Sequence, residues 1–221
     1  MRREYDLAEP FSGQRRRNAT RPRPSTTGNN VDLVRLPGSL ETDRVTSVQK
    51  PVFTVPVREL VEFVLRRGDL GGSRDFVGTD RALAGTRGHQ RLQRSRPAGY
   101  RKELPVSRDI NGGELILRIQ GRIDGILATD DAVVIEEIKT VRGGWDGVAD
   151  ALHWAQARLY AFIYADHEAI EAVVIQLVYL DLDTGEVTEF RERATRLELG
   201  TFFDGTVAVY LDWIRELHRW R

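Results

Sequence analysis

Two carboxylates and one lysine near the middle of the chain have the types and spacing of a metal site for phosphodiester hydrolysis. Asp124, in the run Gly-Arg-Ile-Asp-Gly-Ile-Leu, is followed thirteen residues later by Glu137, and Lys139 comes two residues after that. Two carboxylates held together repel each other unless a cation lies between them. Oxygen ligands favour a hard ion such as Mg²⁺ or Mn²⁺, which activates water, and an ammonium group can orient that water.

A plainer interpretation treats these three residues as solvated charges at a surface hairpin, which is the usual place for such residues. Composition argues for the chemical interpretation. Of the 33 basic residues, 30 are Arg, and the three lysines are Lys50, Lys102 and Lys139. Because an ammonium and a guanidinium are not interchangeable, a lysine retained at the Glu-x-Lys spacing indicates a specific role.

The elements that must position these residues are two strands joined by a turn. Residues 115–127 are rich in Ile and Leu, residues 132–140 are rich in Val and Ile, and Ala-Thr-Asp-Asp lies between them. This pattern predicts a hairpin that brings Asp124 within reach of Glu137. Side chains of a strand alternate between faces, so Glu136 points away from Glu137, and we predict Glu137 as the ligand.

Four short motifs, in this order along the chain, resemble those of the PD-(D/E)XK nuclease superfamily in its RecB-like branch. Gly121–Gly125 and Glu137–Thr140 resemble motifs II and III. Gly85–His89 resembles the upstream Gly-x-x-x-His segment, and Gln156–Tyr160 resembles the downstream Gln-x-x-x-Tyr motif. The resemblance implies an α/β, restriction-endonuclease-like fold with a mixed β-sheet core flanked by helices. It also implies a deoxyribonuclease that depends on Mg²⁺ or Mn²⁺.

The resemblance assigns roles to individual residues of the first three motifs. His89, Asp124, Glu137 and the backbone carbonyl of Ile138 would hold the metal. Asp124 and Glu137 would also act in catalysis, together with Lys139, which would orient or polarise the attacking water. Each assignment agrees with the chemistry of the residue, since a neutral imidazole and carboxylate oxygens can share one Mn²⁺ ion.

The fourth motif adds two candidate catalytic residues. Gln156 and Tyr160 lie four residues apart in a predicted helix and therefore share a face. Contact of this pair with the DNA and packing within the protein are both open interpretations. His153, His167 and His218 belong to no motif, and we predict that they are surface or core residues.

Positive charge is concentrated before the carboxylate motifs. The net charge is zero, but residues 1–50 carry +4, residues 51–107 carry +5 and residues 108–221 carry −9. The cationic segment, residues 81–102, holds seven basic residues and no acidic one. Such a segment could contact phosphates, or it could be a solvated face with local ion pairs. The predicted DNA-binding residues are Arg87, Arg91, Arg94, Arg96 and Arg122.

The chain divides into two predicted regions. Residues 1–50 are polar and rich in Arg, Pro and Ser, which predicts a disordered basic arm. Residues 51–221 are predicted to form the nuclease-like domain, including a C-terminal amphipathic helix. Periodicity predicts helices at 57–67, 80–93, 150–165 and 199–220, and strands at 100–110, 115–127, 132–140, 172–182 and 187–191.

Several classes of protein are disfavoured by the composition. The absence of cysteine excludes disulfides, thiolate zinc sites and iron–sulfur clusters. No apolar run is long enough for a membrane span, and the start of the chain lacks the apolar stretch of a signal peptide, so we expect a cytoplasmic protein. A small-molecule enzyme is disfavoured by the cationic segment.

The predicted partner is DNA, single-stranded or with single-stranded ends. The order of a nuclease module followed by a terminal helix also resembles the front part of proteins that continue into a helicase motor. No phosphate-binding Gly-x-x-x-x-Gly-Lys loop is present in the chain. A stand-alone nuclease, a truncated gene product and the partner of a separate helicase are therefore all open interpretations. The alternative function is a catalytically weak or inactive nuclease-fold module that binds DNA for a helicase. The sequence does not determine the oligomeric state.

Overall fold

The computed structural model describes residues 50–65 and 79–220, with the side chains from residue 83 onward in the second range. The elements in chain order are β1 (Val52–Pro56), α1 (Val57–Leu65), α2 (Thr79–Arg94), β2 (Arg101–Asn111), β3 (Ile116–Ala128), β4 (Val133–Val141), α3 (Ala151–His167), β5 (Ala172–Asp181), β6 (Val187–Thr195) and α4 (Arg196–Arg219). The predicted arm, residues 1–50, lies outside the described residues apart from Lys50.

These elements confirm the predicted α/β fold, with a mixed six-stranded sheet flanked by four helices in the described part of the chain. The predicted helices and strands all appear, with small shifts at their ends. Strand β1 was not predicted, because it has only five residues and ends at a proline directly before a helix. Such a short run gives no period from which a strand can be distinguished.

Strand β3 organises the sheet because three strands pair with it. Along one edge, β2 runs antiparallel from the pair Arg101–Ile126 to the pair Asn111–Ile116. The other edge is shared: β1 pairs in parallel with residues 116–120, and β4 pairs antiparallel with residues 125–128. Among the strands that the structure describes, none pairs with residues 121–124 of β3 on that edge. On the far side of β4 from β3, β5 pairs in parallel with β4, and β6 pairs antiparallel with β5.

Helices cover both faces of the sheet. Helices α1, α3 and α4 pack on one face over the main apolar core, whose residues include Ile119, Ile123 and Ile175. Helix α2 covers β4 on the other face, where Leu92 packs on Ile138 and Val178. None of the helices in residues 50–65 and 79–220 combines the length and the apolar character needed to cross a bilayer.

Two helix starts are fixed by side-chain caps. Asp150 precedes α3 and accepts a hydrogen bond from the backbone N–H of Leu152 at 2.7 Å. Thr195 and Glu198 form a reciprocal capping box at the start of α4. The apolar stripe predicted for the C-terminal helix is buried at Phe203 among other positions, which holds α4 against α3. The cap at Asp150 sets where α3 begins and therefore which of its side chains reach the site.

Candidate metal centre and cleft

The unpaired stretch of β3 is where the candidate site lies. Asp124 ends this stretch, and its Oδ2 accepts a hydrogen bond from the backbone N–H of Ile138 at 2.7 Å. A side chain thus takes the place of a backbone acceptor where β3 and β4 diverge. The predicted hairpin is present, and its register brings Asp124 beside the start of the Glu-Ile-Lys run of β4.

His89 approaches the same point from α2. Its Nε2 lies 3.1 Å from Oδ2 of Asp124 and 3.2 Å from the carbonyl oxygen of Ile138. Burial lowers the pKa of His89, but the nearby Asp124 carboxylate and Ile138 carbonyl outweigh burial, so the net pKa is raised. One imidazole nitrogen therefore faces two of the oxygen atoms that were predicted as metal ligands.

The glycines of the Gly-x-x-x-His segment explain how His89 reaches the sheet. A Cβ at Gly85 would lie 3.1 Å from Oγ1 of Thr140, and a Cβ at Gly88 would lie 2.8 Å from a methyl group of Leu182. Real Cβ atoms rarely come this close to a neighbour, so side chains here would force Thr140 and the leucine side chains to shift. The two glycines allow the close packing that delivers the imidazole to Asp124.

Glu137, Lys139 and Gln156 form a polar group on the α3 face of β4. Oε1 of Glu137 accepts from Nζ of Lys139 at 2.8 Å and from Nε2 of Gln156 at 2.8 Å. Nζ of Lys139 also donates to Oε1 of Gln156 at 3.0 Å. Burial raises the pKa of Glu137, as does the charge of Asp124, whereas Lys139 lowers it. Gln156 therefore orients both the lysine and the carboxylate.

The second oxygen of Glu137 provides the test of whether these residues fit a metal. Glu137 is 3 % exposed, and its Oε2 is buried with no hydrogen-bond partner among the described residues. An unpaired buried carboxylate oxygen is costly, and coordination to a cation removes that cost. Among the described residues, the compact group of ligand atoms is that of His89, Glu103 and Asp124, and Glu137 is not part of it. Asp124, His89 and the Ile138 carbonyl, with Glu137 nearby, would supply a mixed oxygen and nitrogen ligand set. That set fits Mn²⁺ or Mg²⁺.

Glu103 is a candidate ligand that was not recognised in the sequence. Its register on β2 places it opposite Asp124, and its φ of 56° is unusual for a non-glycine residue. Ligand atoms of His89, Glu103 and Asp124 lie within 4.8 Å of one another. Gln93 donates to Oε1 of Glu103 at 2.8 Å and to the Asp124 carbonyl at 2.9 Å, which fixes the carboxylate. Such strained backbone is frequent at functional sites.

The remaining residue of the Gln-x-x-x-Tyr motif is buried behind the site. The hydroxyl of Tyr160 is hydrogen-bonded to the backbone of Arg122 and to the side chain of Gln156, and burial raises its pKa to about 12. A Cβ at Gly121 would lie 2.5 Å from this hydroxyl. Of the two interpretations left open for Tyr160, this position supports packing, with the hydroxyl filling the unpaired edge of β3.

Glu136 lies on the opposite face of β4, as its parity predicts. Its carboxylate accepts from the hydroxyl of Tyr100 at 2.6 Å and from Gln176 at 3.1 Å, and it forms an ion pair with Arg96. Arg96 also pairs with Glu189 at 3.0 Å. Two carboxylates thus hold Arg96 away from the cleft described next, so its position does not support the predicted contact with DNA.

A cleft of about 970 Å³ opens over the candidate metal centre. The predicted DNA-binding residues Arg94 and Arg122 line it, together with further cationic residues: Arg58, Lys102 and Lys139. Arg87 and Arg91 lie elsewhere, in a smaller groove of about 290 Å³. The cationic segment therefore does not form one continuous surface, because Arg94 and Lys102 line the cleft, Arg87 and Arg91 line the groove, and Arg96 lines neither.

The three histidines without a motif have different environments. The imidazole of His167 is exposed beside Glu168, and the ring of His218 packs edge-on against Phe53, as expected of surface and core residues. His153 instead lines the cleft. Burial lowers the pKa of His153 to about 4, so its imidazole is neutral at physiological pH.

Comparison with known proteins identifies the class to which this fold and site belong. The family model described as the PD-(D/E)XK nuclease superfamily matches residues 58–217. The chain therefore belongs to the PD-(D/E)XK nuclease superfamily. Among curated proteins, none is similar enough in sequence to be reported as a relative. The solved structure of SSO0001 is similar over 71 % of this chain and 76 % of its own, with 21 % sequence identity and a TM-score of 0.49.

Proposed function

We propose that this protein is a Mg²⁺- or Mn²⁺-dependent deoxyribonuclease of the RecB-like branch. The observation that carries the proposal is the buried, unpartnered Oε2 of Glu137, on a carboxyl group whose pKa is affected by the charges of Asp124 and His89. An acidic site of this kind in a superfamily of nucleases has its simplest explanation in a divalent cation and a phosphodiester substrate.

The metal would be held by His89, Asp124, Glu137 and the carbonyl of Ile138, with Glu103 as a further candidate. When bound, a divalent cation supplies Lewis-acid activation of a phosphate and of a water molecule. Side chains of the protein would supply the other contributions to catalysis. Lys139 is fixed near Glu137 and places a positive charge where negative charge develops on the phosphate.

Gln156 and the hairpin complete the arrangement. The side-chain amide of Gln156 accepts a hydrogen bond from Nζ of Lys139 at 3.0 Å and donates one to Oε1 of Glu137 at 2.8 Å. Lys139 and Glu137 also pair directly at 2.8 Å, so the three groups hold one another in place. The Gln156 amide is thus a positioning group, and substrate contact is not needed to explain it. The hydrogen bond from the Ile138 N–H keeps Asp124 turned toward His89. These contacts preorganise the side chains before a substrate arrives.

The proposed substrate is DNA, single-stranded or with single-stranded ends. Arg94, Lys102 and Arg122 on the cleft walls would contact backbone phosphates, which carry no sequence information. Action beside a separate helicase during DNA repair or processing is part of this proposal and rests on the resemblance of the motifs. The cytoplasmic location expected from the sequence stays a prediction.

Cleavage of labelled oligonucleotides tests the proposal. Single-stranded, duplex and overhang-bearing DNA, and matching RNA, would be incubated with Mn²⁺, Mg²⁺ or a chelator. We expect metal-dependent cleavage of DNA by the wild type, loss of cleavage in Glu137→Ala, and normal cleavage in Asp130→Ala, whose exposed carboxylate lies in the turn of the same hairpin. Tight DNA binding without cleavage in any metal would instead favour the binding-module alternative.

A further inference from the structure

His153 is a cleft residue that the proposed chemistry leaves unused. It lies on α3 three residues before Gln156, so both side chains project from the same side of the helix. Both line the cleft together with Lys139 and Thr140. A histidine in this position can contact whatever lies along the cleft beyond the metal ligands.

The hydrogen bonds of Tyr179 determine which nitrogen of His153 carries the proton. The Tyr179 hydroxyl accepts from the backbone N–H of Asp150 at 2.9 Å and lies 2.8 Å from Nδ1 of His153. Tyr179 is 1 % exposed, so its single hydroxyl proton must be donated inside the protein. Among the described residues, Nδ1 of His153 is the acceptor in reach. Nδ1 is therefore unprotonated, and Nε2 carries the hydrogen.

Aromatic packing holds this arrangement in place. Trp145 stacks on Tyr179 with ring centroids 4.6 Å apart and planes inclined by 15°, and Phe190 packs edge-on against Tyr179 at 5.8 Å. The indole N–H of Trp145 donates to the carbonyl of Val148 at 3.0 Å, which closes the loop before α3. The stack holds the phenol oxygen of Tyr179 beside Nδ1 of His153, so the hydrogen bonds at that oxygen select the tautomer of His153.

The group that faces the cleft is consequently a neutral N–H donor. Nε2 of His153 has no hydrogen-bond partner among the described residues, although the ring is partly buried. Burial lowers the pKa of His153 most, and the charges of Lys139 and Arg58 lower it further while that of Asp150 raises it, so the donor lies near two cations and one carboxylate. The carboxylate of Asp150 is turned to the first turn of α3, where it accepts from Leu152. A neutral donor beside an ammonium suits an anionic oxygen.

We propose that Nε2–H of His153 donates a hydrogen bond to a non-bridging oxygen of a phosphodiester group next to the one that is cleaved. This contact rests on the proposed function and deepens it, since it defines a second phosphate subsite on the α3 side of the cleft. His153 positions the strand, while the metal ligands and Lys139 act on the reacting phosphate. Tyr179 is a positioning residue that acts through the imidazole.

A scan with neutral linkages tests the contact. Single-turnover cleavage would be measured on oligonucleotides that carry one methylphosphonate at successive positions, with wild type, His153→Phe, His153→Gln and Tyr179→Phe. For the wild type, a methylphosphonate at one position beside the cleaved bond should raise the half-saturating concentration of the oligonucleotide about tenfold. This is the effect expected for loss of a hydrogen bond to a charged group. With unmodified DNA, His153→Phe should already need about tenfold more oligonucleotide than wild type for half-saturation. A methylphosphonate at the same position should then cause no further increase in His153→Phe.

Further variants separate a contact from a structural effect. His153→Gln retains an N–H donor and should recover most of the affinity, whereas His167→Phe, at the exposed end of the same helix, should match wild type. The maximal rate of His153→Phe should stay near wild type, since the residue does not act on the reacting group. Equal sensitivity of wild type and His153→Phe at every linkage would overturn the subsite alone. A wild type that neither binds nor cleaves nucleic acid would overturn the proposed function as well.

Discussion

Replacing Glu137 by Gln should stabilise the metal-free protein at alkaline pH while abolishing its stabilisation by Mn²⁺. The pKa of Glu137 is raised from 4.5 to about 7, chiefly by burial and by the charge of Asp124. At a pH between these two pKa values, the Glu137 carboxyl group is protonated in the folded protein and ionised in the unfolded chain. The contribution of Glu137 to the free energy of unfolding therefore falls as the pH rises from about 4.5 to about 7.

The size of the effect follows from the same values. A tenfold change in proton affinity corresponds to about 1.4 kcal/mol, so the ionised carboxylate destabilises the metal-free protein by up to about 3 kcal/mol above pH 7. For a protein of this length, that is roughly 5–10 °C in Tm. The Gln side chain retains an oxygen that can accept from Lys139 and from Gln156, so most of the polar group survives the change.

Thermal unfolding at pH 5 and pH 8, with chelator and with Mn²⁺, measures both effects. From pH 5 to pH 8 in chelator, wild type should lose stability relative to Glu137→Gln, because other titrating groups, among them His153 with its pKa lowered to about 4, are common to both proteins. Mn²⁺ should stabilise wild type, since a ligand that binds the folded state stabilises it, and should not stabilise Glu137→Gln. Glu136→Gln is the matched control, because its carboxylate pairs with Arg96 on the opposite face and its loss should destabilise. A Glu137→Gln protein that is less stable than wild type at pH 8 in chelator, yet keeps its response to Mn²⁺, would refute the reasoning.

Three further predictions concern single positions around the site. Lys139→Arg should slow single-turnover cleavage by roughly ten- to a thousandfold, because a planar guanidinium cannot occupy the place of the ammonium, whereas the exposed Lys50→Arg should cleave normally; equal rates would remove Lys139 from the chemistry. Combined Arg94→Ala and Arg122→Ala should weaken DNA binding for all sequences and reduce the salt slope by up to about 2, and an unchanged slope would return both to the solvated surface. Glu103→Gln should weaken Mn²⁺ binding in calorimetric titration by about tenfold, while unaltered affinity would limit Glu103 to holding its neighbours.

The sequence predicts most of the hairpin chemistry because alternation along a strand is a strong constraint. Parity alone separates Glu136 from Glu137, and the structure places them on opposite faces of β4 with separate partners. The spacing of Gln156 and Tyr160 likewise predicts a shared helix face. These inferences depend on local periodicity, which can be read directly from the sequence.

Other parts of the site depend on relations that no local pattern contains. Glu103 faces Asp124 through the register of two strands and through a left-handed backbone conformation, and neither is visible in the sequence. Its one signal is that it is the first acidic residue after the cationic segment. The sequence leaves open whether that segment contacts phosphates or forms local ion pairs, and Arg96, which follows the end of α2, is paired with carboxylates of β4 and β6. Proximity along the chain did not reveal which partner each arginine meets.

The shared edge of β3 affects the choice of an inactive allele for genetic work. Asp124 is both a candidate ligand and the acceptor for the Ile138 N–H, so Asp124→Ala would leave a backbone donor unpaired at a cost of about 1–3 kcal/mol. Asp124→Asn keeps an oxygen at that point while removing the negative charge. In a complementation assay, the alanine allele would therefore combine lower protein abundance with lost chemistry, whereas the asparagine allele reports on the chemistry with the strand junction preserved.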